Sequence, residues 1–431
     1  MSHGYAAVAL LATLAVPLGA RAQERTAPPA PEPAPTPPPA AGERPERDGF
    51  IASKLRGVFT DHEPGREGFH WGPFYPAVDI PSSGAGPGPM LHFWLPDIGG
   101  SLFDVHASAA YSIHRYQYYD LQLGALPHRG KHKPVFTTGT DGFYPMSDLY
   151  KSAGIRRFDL YANLHHRRYP QEHFYGLGPE TLAADRSDYA LRDTLLEVVS
   201  EYRLASWITV TARGGLLQTS LGDGRDDQTV DTDLIFDDRT APGLVRQPDY
   251  LHASAGALVD TRDEPGNPHR GTTFGVALTR YDERAGTEFQ FNRLSVDARQ
   301  FLGLGRRHVF AVRALGSFDR PDSGSRVPFY LQSALGGSHI LRGFRSFRFR
   351  NENLIAFSGE YRFDVVSKVE LAVFYDAGKV VGDTADLDLR GLETSWGGGI
   401  RFKSPKKVRL RVDVGHSREG TRLHLKFSPS F

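Results

Sequence analysis

Val408-Arg409-Leu410-Arg411-Val412-Asp413-Val414-Gly415 alternates strictly between an aliphatic side chain and something else. Successive side chains of an extended strand point to opposite faces, so this octet has one apolar face and one that carries two arginines and an aspartate. Two upstream stretches repeat the pattern. Val369, Leu371, Val373 and Tyr375 alternate with Glu370, Ala372, Phe374 and Asp376, and Ile355, Phe357, Gly359, Tyr361 and Phe363 with Ala356, Ser358, Glu360 and Arg362. A soluble sandwich would alternate too, but it has no need of aromatic residues at the ends of its apolar face. A membrane barrel places aromatic girdles there, where Tyr361, Phe363 and Tyr375 are expected to fall.

In hydrocarbon each unpaired backbone N–H or C=O costs several kcal/mol, so strands span a bilayer only when their sheet closes on itself. The last strand is therefore expected to pair with the first. It has Leu423, Leu425, Phe427 and Phe431 on one face and Arg422, His424 and Lys426 on the other, and Phe431 forms a C-terminal aromatic signal on the lipid side. The period-two criterion gives about sixteen strands between 90 and 431. The first is expected at 90–95, the fourth at 132–138, the eleventh at 307–318 and the twelfth at 353–366. An even number leaves both ends in the periplasm and puts the long connections 167–187, 221–248, 319–352 and 381–392 outside. The expected fold is all-β, a 16-stranded antiparallel transmembrane β-barrel whose long sixth extracellular loop folds into the lumen.

Composition supports an envelope protein. The chain has 431 residues, no Cys and a formal net charge of +1. That balance gives no argument for nucleic-acid binding, and the missing cysteines suit an oxidising periplasm. Past residue 22 no apolar run approaches the roughly 20 residues of a spanning helix. Residues 1–22 read as a signal peptide, with an apolar stretch from Tyr5 to Leu18 and a small-x-small site at Ala20-Arg21-Ala22. Residues 23–48 are Pro/Ala-rich and form a spacer of polyproline type. Residues 49–89 form a short N-terminal segment, where Ile51, Leu55, Val58 and Phe59 fit an amphipathic helix on the rim or a plug in the lumen. The barrel itself is expected over 90–431, in a bacterial outer membrane.

The connection between the eleventh and twelfth strands contains Gly336-Gly337-Ser338-His339-Ile340-Leu341-Arg342-Gly343-Phe344. Further along come Phe374-Tyr375-Asp376-Ala377-Gly378 and Gly397-Gly398-Gly399-Ile400-Arg401-Phe402. A turn upstream holds Asp260, Arg262 and Asp263, followed by Pro268 and Gly271. Taken in order with the terminal Phe431, these elements resemble the Omp85 superfamily, the group of BamA- and TamA-type barrels. Leu341, Arg342, Gly343 and Phe344 look like the tip motif of that family's sixth loop, and the strand count independently places them in loop six. The resemblance implies that Arg342 pairs with Asp376. Strand parity puts Asp376 on the inward face and Glu360 beside it as a second counter-charge. Arg342 cannot lose its charge and offers five planar donors, so in the lumen it needs a fixed carboxylate. Gly343 would let the tip turn tightly, and Gly378 would leave room on the wall.

Typical members carry periplasmic POTRA domains before the barrel, so the chain is similar to a POTRA-less branch. The resemblance implies movement or insertion of protein or lipid without cofactor, metal or catalytic residue. Its partners would be outer-membrane lipids, a protein or lipid cargo, and the barrel-assembly machinery that inserts the chain itself. A passive porin-like channel and a structural barrel that presents surface loops are the competing classes. The aspartates of 223–238 could hold calcium but fit no EF-hand spacing, and a solvated loop is the simpler reading. His165, His166 and His173 could ligate a metal. Neither GxSxG nor HExxH occurs.

Overall fold

The computed structural model describes residues 71–79, 85–96, 98–126, 157–226, 229–264, 266–403 and 408–426. The leader, the spacer, Phe431 and the strand expected at 132–138 lie outside them. Sixteen strands form one antiparallel sheet in which each pairs with its neighbours along the chain. They begin with β1 (Phe74–Asp79), β2 (Gly88–Leu95), β3 (Asp104–Tyr111) and β4 (Gln117–Ala125). The long middle strands are β5 (Phe158–Phe174), β6 (Ser187–Ala205), β7 (Ile208–Asp223) and β8 (Tyr250–Asp260). Next come β9 (Gly271–Glu283), β10 (Phe291–Leu304) and β11 (His308–Pro321). After a two-stranded hairpin, β12 (Ser333–Leu335) and β13 (Phe349–Asn351), the sheet resumes with β14 (Asn353–Val366) and β15 (Val369–Val381). It ends with β16 (Glu393–Lys403), β17 (Val408–Ser417) and β18 (Gly420–Lys426). Among the described residues no helix is long and apolar enough to cross a membrane.

Two expectations need correction. The strand expected first is the second, because β1 lies sixteen residues upstream of residue 90, within the segment 49–89, whose helix or plug candidates Ile51, Leu55, Val58 and Phe59 lie outside the described residues. β1 escapes the period-two criterion because it is short and contains Pro76. Proline lacks a ladder donor and is tolerated where a strand has a neighbour on one side only. Also, no ladder joins β1 to β18 among the described residues, so the expected closing pair is not seen.

Burial follows the expected parity. On β15 Leu371, Val373 and Tyr375 are exposed, whereas Glu370, Ala372, Phe374 and Asp376 are buried. An apolar outside around a charged inside is inverted relative to a protein folded in water and marks the lipid-facing wall. Exposed aromatics cluster at the edge that carries tight turns such as 206–207 and 367–368. They include Phe158, Tyr202, Trp207, Phe310 and Phe402, the girdle expected at the periplasmic interface. Tyr375 sits at mid-strand instead. The long connections 224–249, 322–352 and 382–392 lie at the opposite edge. There an aromatic cap that includes Phe174, Tyr189, Phe289 and Phe329 packs across several loops.

Candidate functional site: the docked tip of loop six

Loop six leaves β11 at Pro321, turns through a short 3-10 segment at Phe329–Leu331 and enters the lumen as the β12–β13 hairpin. The tip is buried by apolar contact before any charge is considered. Leu335, Ile340, Leu341, Phe344 and Phe349 pack with Leu315 of β11, Leu354 and Ala356 of β14 and Val380 of β15. Leu341 adopts a left-handed φ of 63°. For a residue with a Cβ that conformation costs about 1–2 kcal/mol. Its complete burial offsets the strain.

The left-handed turn delivers Arg342 to the wall. Its Nε donates to Asp376 Oδ2 at 2.9 Å and its Nη2 to Asp376 Oδ1 at 2.8 Å, the fork geometry of a bidentate pair. Its backbone N–H donates to the same carboxylate at 3.1 Å. Nη1 donates to Glu360 Oε2 at 2.7 Å and lies 3.5 Å from Asp413 Oδ2. The guanidinium stacks on the Phe374 ring, 3.4 Å from its centroid. Phe374 and Asp376 are inward residues two apart on β15, so one strand face offers a ring and a carboxylate to the same cation.

The charges form a lattice beyond this pair. Glu360 also accepts from Arg362 Nε at 2.8 Å and from Arg401 Nη2 at 2.8 Å. Asp413 accepts from Arg401 at 3.0 Å and from Arg411 at 3.0 Å. Lys403 bonds Glu370 at 3.1 Å and also Asp364. Five cations thus face five carboxylates across β14 to β17 and loop six, and all but Asp364 have side chains at most 3% exposed. Charges so far from water persist because each has partners with good geometry.

The glycines make room. A Cβ on Gly397 would lie 2.6 Å from the Phe374 ring, and one on Gly399 would lie 2.0 Å from Asp413 Oδ1. The Gly-Gly-Gly run of β16 therefore clears space for the arginine's aromatic platform and for a lattice carboxylate. Gly378 leaves a tight gap, with Leu335 at 3.1 Å from the added Cβ. Gly343 acts differently from expectation. Its φ lies outside the left-handed range, and a Cβ there would sit 2.7 Å from the His416 backbone. Close approach, not turning, requires it. From the other side, a Cβ on Gly415 would meet the Arg342 carbonyl oxygen at 2.4 Å. Gly415→Ala should displace the tip and cost about 1–3 kcal/mol. The check is hydrogen exchange of 336–347, with Gly359→Ala as control, since nothing lies within 4 Å of its added Cβ. Equal exchange in the two variants would refute the packing account.

The other sequence candidates fall elsewhere. Asp260 and Arg262 pair at 2.8 Å in the 261–270 turn, and Asp263 accepts the backbone N–H groups of Glu264, His269 and Arg270. This turn faces the loop-six lattice from the end of the sheet that carries the tight turns: Pro268 O lies 3.5 Å from Arg362, and Gly266 O accepts from Val408 N at 3.0 Å. The three histidines do not converge. His165 is buried beside Asp120 at 3.8 Å, His166 bonds Thr194 and His173 bonds Asp188. In loop four Asp223, Asp231 and Asp233 come within ligand reach of one another, but Asp226 is taken by Thr229, and Asp238 by Arg326 and Gly243. Sequence reasoning missed Asp413, Arg411, Ser417 and His424 as partners of the tip, Arg411 donating to Ser338 O at 3.0 Å. Strand parity placed Asp413 and His424 inward, but nothing in their spacing named a partner.

A family model described as the Omp85 superfamily domain matches residues 205–428. Among solved structures, the chain resembles BamA from Haemophilus ducreyi lacking POTRA domains 1-3, with a TM-score of 0.56 and 13% identity over 81% of this chain and 67% of that one. It also resembles CdiB from Escherichia coli, with a TM-score of 0.51 and 14% identity over 83% of this chain and 62% of that one. At such identities the likeness is one of fold. No curated protein sequence matches the chain.

Proposed function

The chain belongs to the Omp85 superfamily, and from that premise we propose that it moves or inserts protein or lipid across or into the bacterial outer membrane, as a conduit and not as an enzyme. The observation that carries the reading is the docked tip of loop six, with Arg342 held by Asp376 and Glu360 inside the lumen. A large loop fixed across the interior obstructs a wide aqueous passage, which argues for a gated route over an open porin. The two edge strands, β1 and β18, share no ladder among the described residues. A seam between them that opens sideways would give cargo access to lipid, since a sheet edge can be exposed only where something replaces its missing hydrogen bonds. On this reading outer-membrane lipid is its surroundings, and the assembly machinery is needed only for its own insertion.

The test exploits the absence of cysteine. Depletion of the protein should change the protein or lipid profile of the outer membrane, and wild-type chain should restore it. A chain with paired cysteines on β1 and β18 should restore it only when reduced. Full restoration by the oxidised, crosslinked form would remove the lateral seam. An unchanged profile on depletion, together with steady uniform conductance in planar bilayers, would replace the reading with a porin.

A further inference from the structure

Loop six is tied to the wall on two sides, and the second tie runs through main-chain carbonyls, beside the bond that Arg411 Nη2 makes to Ser338 O at 3.0 Å. The guanidinium of Arg342 faces β14 and β15, whereas its backbone carbonyl faces the last hairpin, where His424 Nε2 lies 2.7 Å from it. The next carbonyl, of Gly343, accepts from Ser417 Oγ at 2.8 Å. Two consecutive carbonyls of the tip are thus taken by side chains of β17 and β18. Gly415 lets the same hairpin approach within contact of Arg342.

β18, like β1, is held by a single ladder. It has seven residues, pairs only with β17 among the described strands, and presents exposed Leu423 and Leu425 outward. A strand with one ladder leaves half of its backbone groups to other partners. His424 is its inward side chain at mid-strand, and a carbonyl oxygen only accepts, so Nε2 must carry the hydrogen. We propose that His424 is the positioning residue through which the docked tip of loop six fixes the edge strand β18. The residue that anchors the loop by its side chain would then hold the seam strand by its main chain, so undocking the tip and freeing the edge become one event. This rests on the seam reading above and adds to it the point of attachment.

The experiment compares hydrogen–deuterium exchange of the full-length chain in detergent for wild type, His424→Leu, His424→Asn and His424→Gln. Glutamine places an amide donor near the position of Nε2, asparagine falls short of it, and leucine keeps bulk without a donor. One lost hydrogen bond of ordinary strength corresponds to about a 3- to 10-fold faster opening. That acceleration is expected across 420–426 in the leucine and asparagine variants, while the glutamine variant returns toward wild type. Peptides covering 355–363 should exchange at the wild-type rate in all four. Should the leucine variant fail to fold, the asparagine and glutamine variants still decide the matter. Unchanged exchange of 420–426 in asparagine and leucine variants, or glutamine behaving as leucine, would overturn the proposal. Because the readout is independent of transport, accelerated exchange with undiminished rescue of depleted cells would uphold the attachment and refute the seam as the route instead.

Discussion

Arg342→Ala is expected to destabilise the folded barrel by about 3–5 kcal/mol, because it leaves the buried carboxylate of Asp376 without its cation. Asp376 loses both ends of a bidentate pair and a ring-stacked cation, and its nearest remaining side-chain donor is Ser395 Oγ at 3.5 Å. Surface ion pairs are worth at most about 1 kcal/mol, so the size of the effect separates a buried lattice from a solvated loop. Arg342→Lys should fall between the two, since an ammonium keeps the charge but cannot reproduce the fork or the planar stacking on Phe374. The measurements are the temperature at which the folded gel band is lost in unboiled samples and urea unfolding in detergent. Wild-type values for Arg342→Ala would mean that apolar packing and the main-chain bonds to His424 and Ser417 suffice to hold the tip. Exchange of 336–347 should rise in parallel.

How much of this could be read in advance depends on what kind of information each feature carries. The wall was legible because alternation is local: Glu370, Phe374 and Asp376 fall inward by counting, and they are buried. The partner of Arg342 was legible only through family resemblance, with parity as a check, since no spacing rule links residues 34 positions apart. The remaining members of the lattice are set by register. Gly399 sits opposite both Ala372 and Asp413, and that alignment, absent from any single strand, brings Arg401 to Asp413. Glycine was misread in one place and under-read in another. Gly343 was expected to supply a turn, but the turn falls on Leu341, whose burial outweighs its strain, and the glycine answers the His416 backbone. The Gly397–Gly399 run was seen as a motif without a reason, because the Phe374 ring and the Asp413 carboxylate it accommodates come from the neighbouring strands. β1 was hidden by Pro76, which is unfavourable in a paired interior strand and acceptable at an edge.

Glu360 has a larger predicted effect than its motif-free sequence context suggests. Its two oxygens receive Arg342, Arg362 and Arg401 at 2.7, 2.8 and 2.8 Å, and its side chain is 0% exposed. Glu360→Gln preserves volume but removes the one negative charge shared by three guanidinium groups, and its amide presents a donor where only an acceptor fits. At the cost of a stranded buried charge, the loss is at least about 3–5 kcal/mol and should match or exceed that of Arg342→Ala. The double variant Arg342→Ala/Glu360→Gln gives the sharper test. Removing both charges restores the balance, leaving Arg362, Arg401, Arg411 and Lys403 with Asp376, Asp413, Glu370 and Asp364. The two losses should therefore not add, and a coupling of about 0.5–3 kcal/mol is expected in urea unfolding for groups in one network. Additive losses would mean that Glu360 serves Arg362 and Arg401 independently of the loop. The wall would then be rigid without its tip, and loop six could leave the lumen at no cost to the strands around it.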